Sequence, residues 1–64
     1  MEQYKIEYNK LLNRFNNGCK YLTENPKDEE KYLPELLNIA EKMEKILAKH
    51  PSYTQDELLN GFKS

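Results

Sequence analysis

Apolar residues recur along the chain in two stripes of matching step, separated by Asn25-Pro26. The first comprises Tyr4, Tyr8, Leu11, Phe15 and Leu22, and the second Leu33, Leu36, Ala40, Met43 and Leu47. Steps of three and four residues bring every member to one side of an α-helix, so the pattern predicts two long amphipathic helices that cover one another. One beat of the first stripe falls on Gly18. Asn17-Gly18 could end a helix, with the glycine left-handed after the last turn, but Cys19 and Leu22 keep the phase beyond it. The spacing therefore favours one continuous helix from the first few residues to Thr23 or Glu24, with Gly18 as a point of close approach to a second helix. Leu12 and Cys19 join its apolar face, while Asn9, Asn13, Asn16, Asn17 and Lys20 occupy the opposite one.

Asn25 suits a helix cap and Pro26 a first helical position. Asp28, Glu29 and Glu30 then lie where the positive end of a helix dipole favours them, and Lys45, Lys49 and His50 lie where its negative end does. Pro34 interrupts this reading, because its ring opposes the carbonyl four residues earlier and it has no N–H to donate. The main second helix is accordingly placed at 34–49, with 26–32 a separate short turn or a segment kinked against it. His50-Pro51 ends the helix. Thr54-Gln55-Asp56-Glu57 has the form of a capping box, Tyr53 and Leu58 are placed for a hydrophobic staple, and Gly61 for a stop. These signals predict a short third helix at about 55–60 presenting Leu58, Leu59 and Phe62.

The second helix carries more apolar surface than one partner needs. Tyr32, Ile39 and Ile46 are spaced by seven residues and displaced to one side of its stripe, and Leu37 lies on the other. The expected architecture is all-α: an antiparallel hairpin of two long helices, the second kinked or broken near Pro34, with a short C-terminal helix covering part of the second helix's remaining flank, the whole resembling a three-helix bundle. Residues 1–64 form one small helical domain on this reading. A chain of 64 residues buries too little surface to be more than marginally stable alone. Pairing of two hairpins into a four-helix bundle would bury the surplus, so a homodimer is favoured over a monomer.

Composition narrows the classes of function without choosing one. Ten basic and eleven acidic residues give a net charge of −1, spread evenly along the chain, so no overall field draws it to nucleic acid or an anionic membrane. No apolar run suits a membrane span or a secretory leader. The single cysteine excludes an internal disulfide and suits a reducing compartment, which makes a cytoplasmic location the expectation.

Chemistry-bearing residues are sparse. His50 reads as a helix C-terminal histidine favoured by the dipole. Glu41 and Glu44 share a helix but lack the Glu-x-x-His spacing of a carboxylate metal centre, and Glu41 has Lys45 as its i+4 partner. Cys19 reads as a small buried hydrophobe. No P-loop, dinucleotide loop or nucleophile-base pair is present, so no catalytic residue, metal ligand or cofactor is assigned and an enzyme is not expected. The five tyrosines are many for this length. Tyr21 and Tyr32 flank the bend and, with Ile39 and Ile46, make the expected partner-facing patch. The leading expectation is a non-enzymatic protein-interaction module: an adaptor, regulator or inhibitor that acts through a helix face. The alternative is a small nucleic-acid-associated accessory protein of a phage or mobile element, contacting its ligand through Lys10, Arg14 and Lys20.

Overall fold

The computed structural model describes residues 1–63 and contains helices only, with no strand among them. Helix α1 runs Gln3–Glu24, a single 3-10 turn follows at Pro26–Asp28, α2 runs Glu29–Lys49, and α3 runs Gln55–Asn60. The two long helices pack side by side as an antiparallel hairpin, and the molecule is a rod of 37 × 18 × 18 Å. Its radius of gyration of 12.6 Å exceeds the roughly 10.7 Å of a compact chain this long. The rod shape follows from two helices of more than twenty residues lying side by side.

α1 passes through Gly18 without a break. Gly18 lies on the buried stripe itself, between Phe15 and Leu22, and the side chain of Leu36 sits directly over it. A Cβ added at Gly18 would overlap Leu36 Cδ2 and stand 3.4 Å from its Cγ. Leu11, Leu36 and Ile39 form the core cluster, with Phe15, Leu22, Met43 and Ile46 packed against it. The glycine is a notch into which one ridge of α2 fits.

That notch sets the rotation of α2 and corrects two expectations. Ile39, read from the sequence as displaced from the seam, is 5% exposed and belongs to the core, and Ile46 packs against it. Leu33, read as a seam residue, is 42% exposed instead, and Leu37 is 61% exposed. Cys19 is also outside the core and exposed, because the stripe position beside it is taken by Gly18.

The bend differs from the expected one. Asn25 does not cap the following helix. Its backbone N–H and its side-chain Nδ2 both donate to the carbonyl of Tyr21, at 2.8 and 3.0 Å, and so close the end of α1. α2 begins at Glu29, five residues before the expected start, and continues through Pro34. Both Glu30 and Pro34 are exposed, so the proline and the residue whose carbonyl loses its helical partner lie on the solvent side of α2.

α3 follows the sequence signals closely. Thr54 N–H donates to Glu57 Oε1 at 2.9 Å and Glu57 N–H to Thr54 Oγ1 at 3.2 Å, completing the capping box. Gly61 ends the helix with φ of 90°, a value that favours glycine. The expected docking of this segment on α2 is not what forms. Phe62 is buried edge-on against Tyr4 and Tyr8 of α1, with ring centroids 5.8 and 5.4 Å away. Tyr8 donates its hydroxyl to the Leu58 carbonyl at 2.7 Å. Asn9 clasps the main chain of Phe62, donating from Nδ2 to its carbonyl at 2.8 Å and accepting its N–H on Oδ1 at 2.7 Å. The C-terminal segment therefore plugs the open end of the hairpin, and Leu59 is left 61% exposed.

Candidate functional site

With the helices in this rotation, one side of the hairpin carries a groove along most of its length. Towards the bend it is lined by Asn17, Gly18 and Tyr21 from α1 and by Tyr32, Leu36 and Ile39 from α2. Towards the open end it is lined by Leu11 and Ile46 at its floor, and by Glu7, Lys10, Lys42, Lys45 and Lys49 on its banks. Arg14 belongs to both halves and reaches across to Glu35 at 3.7 Å. From Glu7 to Tyr21 the α1 bank is four turns long, or roughly 21 Å.

The four residues expected from the sequence to face a partner, Tyr21, Tyr32, Ile39 and Ile46, all line this groove. Their roles within it differ. Ile39 and Ile46 are floor residues shared with the core. Tyr21 and Tyr32, each 37% exposed, stand at the bend with ring centroids 4.9 Å apart. Tyr21 is held by a 2.5 Å hydrogen bond from its hydroxyl to Asp28 Oδ2. That bond to a carboxylate is the chief reason the phenol stays protonated above its ordinary range, ahead of desolvation and of the nearby negative charge. The two rings form an apolar wall with polar tips, of which the Tyr21 hydroxyl is anchored.

The residues of the alternative reading are divided. Lys10 and Arg14 lie on the groove, where the fold brings them beside Lys42, Lys45 and Lys49. Lys20 lines neither half. Sequence reading missed these three α2 lysines as members of a site. Their spacing of three and four residues on one face of α2 was available, but which helix they would face was not.

The remaining candidates are accounted for structurally. The His50 ring stacks flat on Tyr4, with centroids 3.7 Å apart and planes 5° from parallel, and the His50 backbone N–H donates to the Ile46 carbonyl and so closes α2. Among the described residues no group of three His, Cys, Asp or Glu side chains converges as a metal site would require. No helix among them is long and apolar enough to cross a membrane. The two halves of the groove have volumes of about 300 and 510 Å³, in the range of small-ligand pockets. The open-end half is banked by long exposed cationic chains, and the bend half by Asn17, Tyr21, Tyr32 and the Arg14–Glu35 pair. No family profile, curated protein or solved structure matches this chain.

Proposed function

We propose that this chain is a non-enzymatic protein-interaction module whose docking face is the groove between α1 and α2. The observation that carries the reading is alignment: an aromatic wall at the bend and charged banks at the open end lie on one face over about four turns, with Arg14 common to both halves. Two antiparallel helices that leave such a trough can accept a third helix by the helix-in-groove mode, in which apolar side chains at helical spacing supply the anchors. Tyr21 and Tyr32 suit this role because a rigid ring contributes large contact area at low entropic cost, and tyrosine is enriched among the residues that dominate binding energy.

The test is affinity capture from the source organism's lysate with the wild-type chain and with Tyr21→Ala/Tyr32→Ala. A discrete protein retained by the first and lost from the second supports the reading. Equal capture by both sinks it. Circular dichroism on the variant separates loss of binding from loss of fold.

Self-association rests on a different observation. Leu33 and Leu37 are one helical turn apart and are 42% and 61% exposed. Two copies meeting there would bury both pairs. Sedimentation at micromolar concentration tests this, and a species of 7.7 kDa alone would exclude it.

A further inference from the structure

We infer that the groove's occupant is an acidic amphipathic helix of a partner protein, laid with its carboxylates against the lysines of the open end. The inference rests on the groove being the docking face and adds the chemistry of what docks.

Charge distribution is the first argument. Lys10, Arg14, Lys42, Lys45 and Lys49, half of the chain's ten basic residues, line the open-end half of the groove, against the single carboxylate of Glu7. The chain as a whole carries −1, so this local excess is set against a net negative remainder. Arg14 is engaged by Glu35. The four lysines have no ion-pair partner among the described residues. Lys10 stands on the α1 bank and the other three on the α2 bank, so cations flank the trough on both sides.

The floor supplies the second argument. Leu11 and Ile46 lie between those banks, continuing through Leu36 and Ile39 towards the bend. Leu11, Leu36 and Ile39 are only 5–8% exposed and Ile46 is half-buried, so an occupant that covers this floor presents a narrow apolar stripe with acids on either side of it. A helix of about four turns, or roughly 14 residues, matches the length of the trough. Duplex nucleic acid offers phosphates but nothing to cover an apolar floor, and it would meet the negative remainder of the chain. A second copy seated groove to groove would bring its own five cations to the same interface. Electrostatic complementarity of this kind sets encounter rate and partner choice, and it carries a salt dependence.

The probe is a synthetic helical peptide of about 16 residues, with leucines at i, i+4, i+7 and i+11 flanked by glutamates. It is compared with the same peptide carrying lysines for glutamates and with a short DNA duplex. Fluorescence anisotropy gives affinities, and ¹⁵N shift mapping on the full chain locates the binding. The acidic peptide should bind with perturbed amides concentrated at residues 7–21 and 32–49. It should bind at least about tenfold more tightly than its lysine counterpart and weaken as salt rises to about 0.3 M. Lys42→Glu/Lys45→Glu, which alters only exposed side chains, should reduce affinity by about tenfold or more. Equal binding of both peptides in the groove would overturn the acidic preference while leaving the docking face standing. Tighter binding of DNA than of the acidic peptide would overturn the inference in favour of a polyanion surface. No perturbed groove amide with either peptide would overturn both the inference and the docking face.

Discussion

Gly18 gives the most searching test of the packing, because two effects of known size act there in opposite directions. Replacing glycine by alanine inside a helix stabilises it by about 1 kcal/mol. At this position, however, the new Cβ would overlap Leu36 Cδ2 and stand 3.4 and 3.7 Å from Cγ and Cδ1. Leu36 is 6% exposed and is held by Leu11 and Ile39, so it yields only by repacking. Overpacking of this kind costs about 1–3 kcal/mol. Gly18→Ala should thus destabilise the chain by about 1 kcal/mol net, taking the middle of that range. In a Leu36→Ala background the collision is gone, and the same substitution should stabilise by about 1 kcal/mol. The coupling is about 2 kcal/mol, several times the scatter of additive pairs. Urea denaturation followed by circular dichroism measures all four corners of the cycle. Trimethylamine oxide at fixed concentration, which strengthens burial, keeps the Leu36→Ala chain folded at the start of each curve. A stabilisation of about 1 kcal/mol by Gly18→Ala in both backgrounds would refute the close approach and, with it, the rotation of α2 that forms the groove.

Three further outcomes follow from particular contacts. Asn9→Ala removes both hydrogen bonds to the main chain of Phe62. It should lower stability by about 1–3 kcal/mol and abolish hydrogen-exchange protection of the Phe62 amide, while amides of the α1–α2 core stay protected. Burial, with a smaller contribution from Tyr53, raises the Tyr8 phenol above its ordinary value of 10.0. A raised folded-state value means the folded chain keeps a proton that the unfolded chain releases, so this part of the stability is intact below pH 10.0 and is lost as pH rises further. Tyr8→Phe should be less stable than wild type at pH 8, by about 1 kcal/mol for the lost bond to Leu58, with the gap narrowing in denaturant melts at about pH 11. Cys19 should react with a chromogenic disulfide reagent in the native state as quickly as in urea, because it is exposed; a thiol reactive only after unfolding would contradict that placement.

The helices were legible from the sequence because they depend on spacing and on local chemistry. The phase held from Tyr8 through Leu22, the Thr54–Glu57 capping box formed with both of its bonds, and Gly61 ended α3 at the expected point. The lining of the candidate groove was legible in part. Tyr21, Tyr32, Ile39 and Ile46 were drawn to one face by their seven-residue interval and by the bend, and the fold does place them on one groove. What spacing could not decide was the rotation of α2. Its apolar arc is broad enough for Leu33 or Ile39 to face inward. The choice is made by Gly18, whose missing side chain admits Leu36 and turns Ile39 in with it. Asn9 was hidden for another reason. It lies on the polar side of α1, and its partner is the main chain of a residue 53 positions away, a relation that no periodicity encodes. Pro34 misled because the rule against interior proline assumes a carbonyl with no other partner, whereas Glu30 is exposed to water.

The groove as docking face is the central claim, and site-specific photo-crosslinking in the source cells addresses it most directly. A photoreactive residue replaces Asn17 or Lys42 on the groove banks in two chains, and Leu37 or Glu41, which line neither half of the groove, in two others. All four positions are exposed, so each tolerates the change. The account predicts a discrete crosslinked partner other than a second copy of the chain from Asn17 and Lys42, and no such partner from Leu37 and Glu41. A partner other than a second copy captured from Leu37 and Glu41 alone would contradict it.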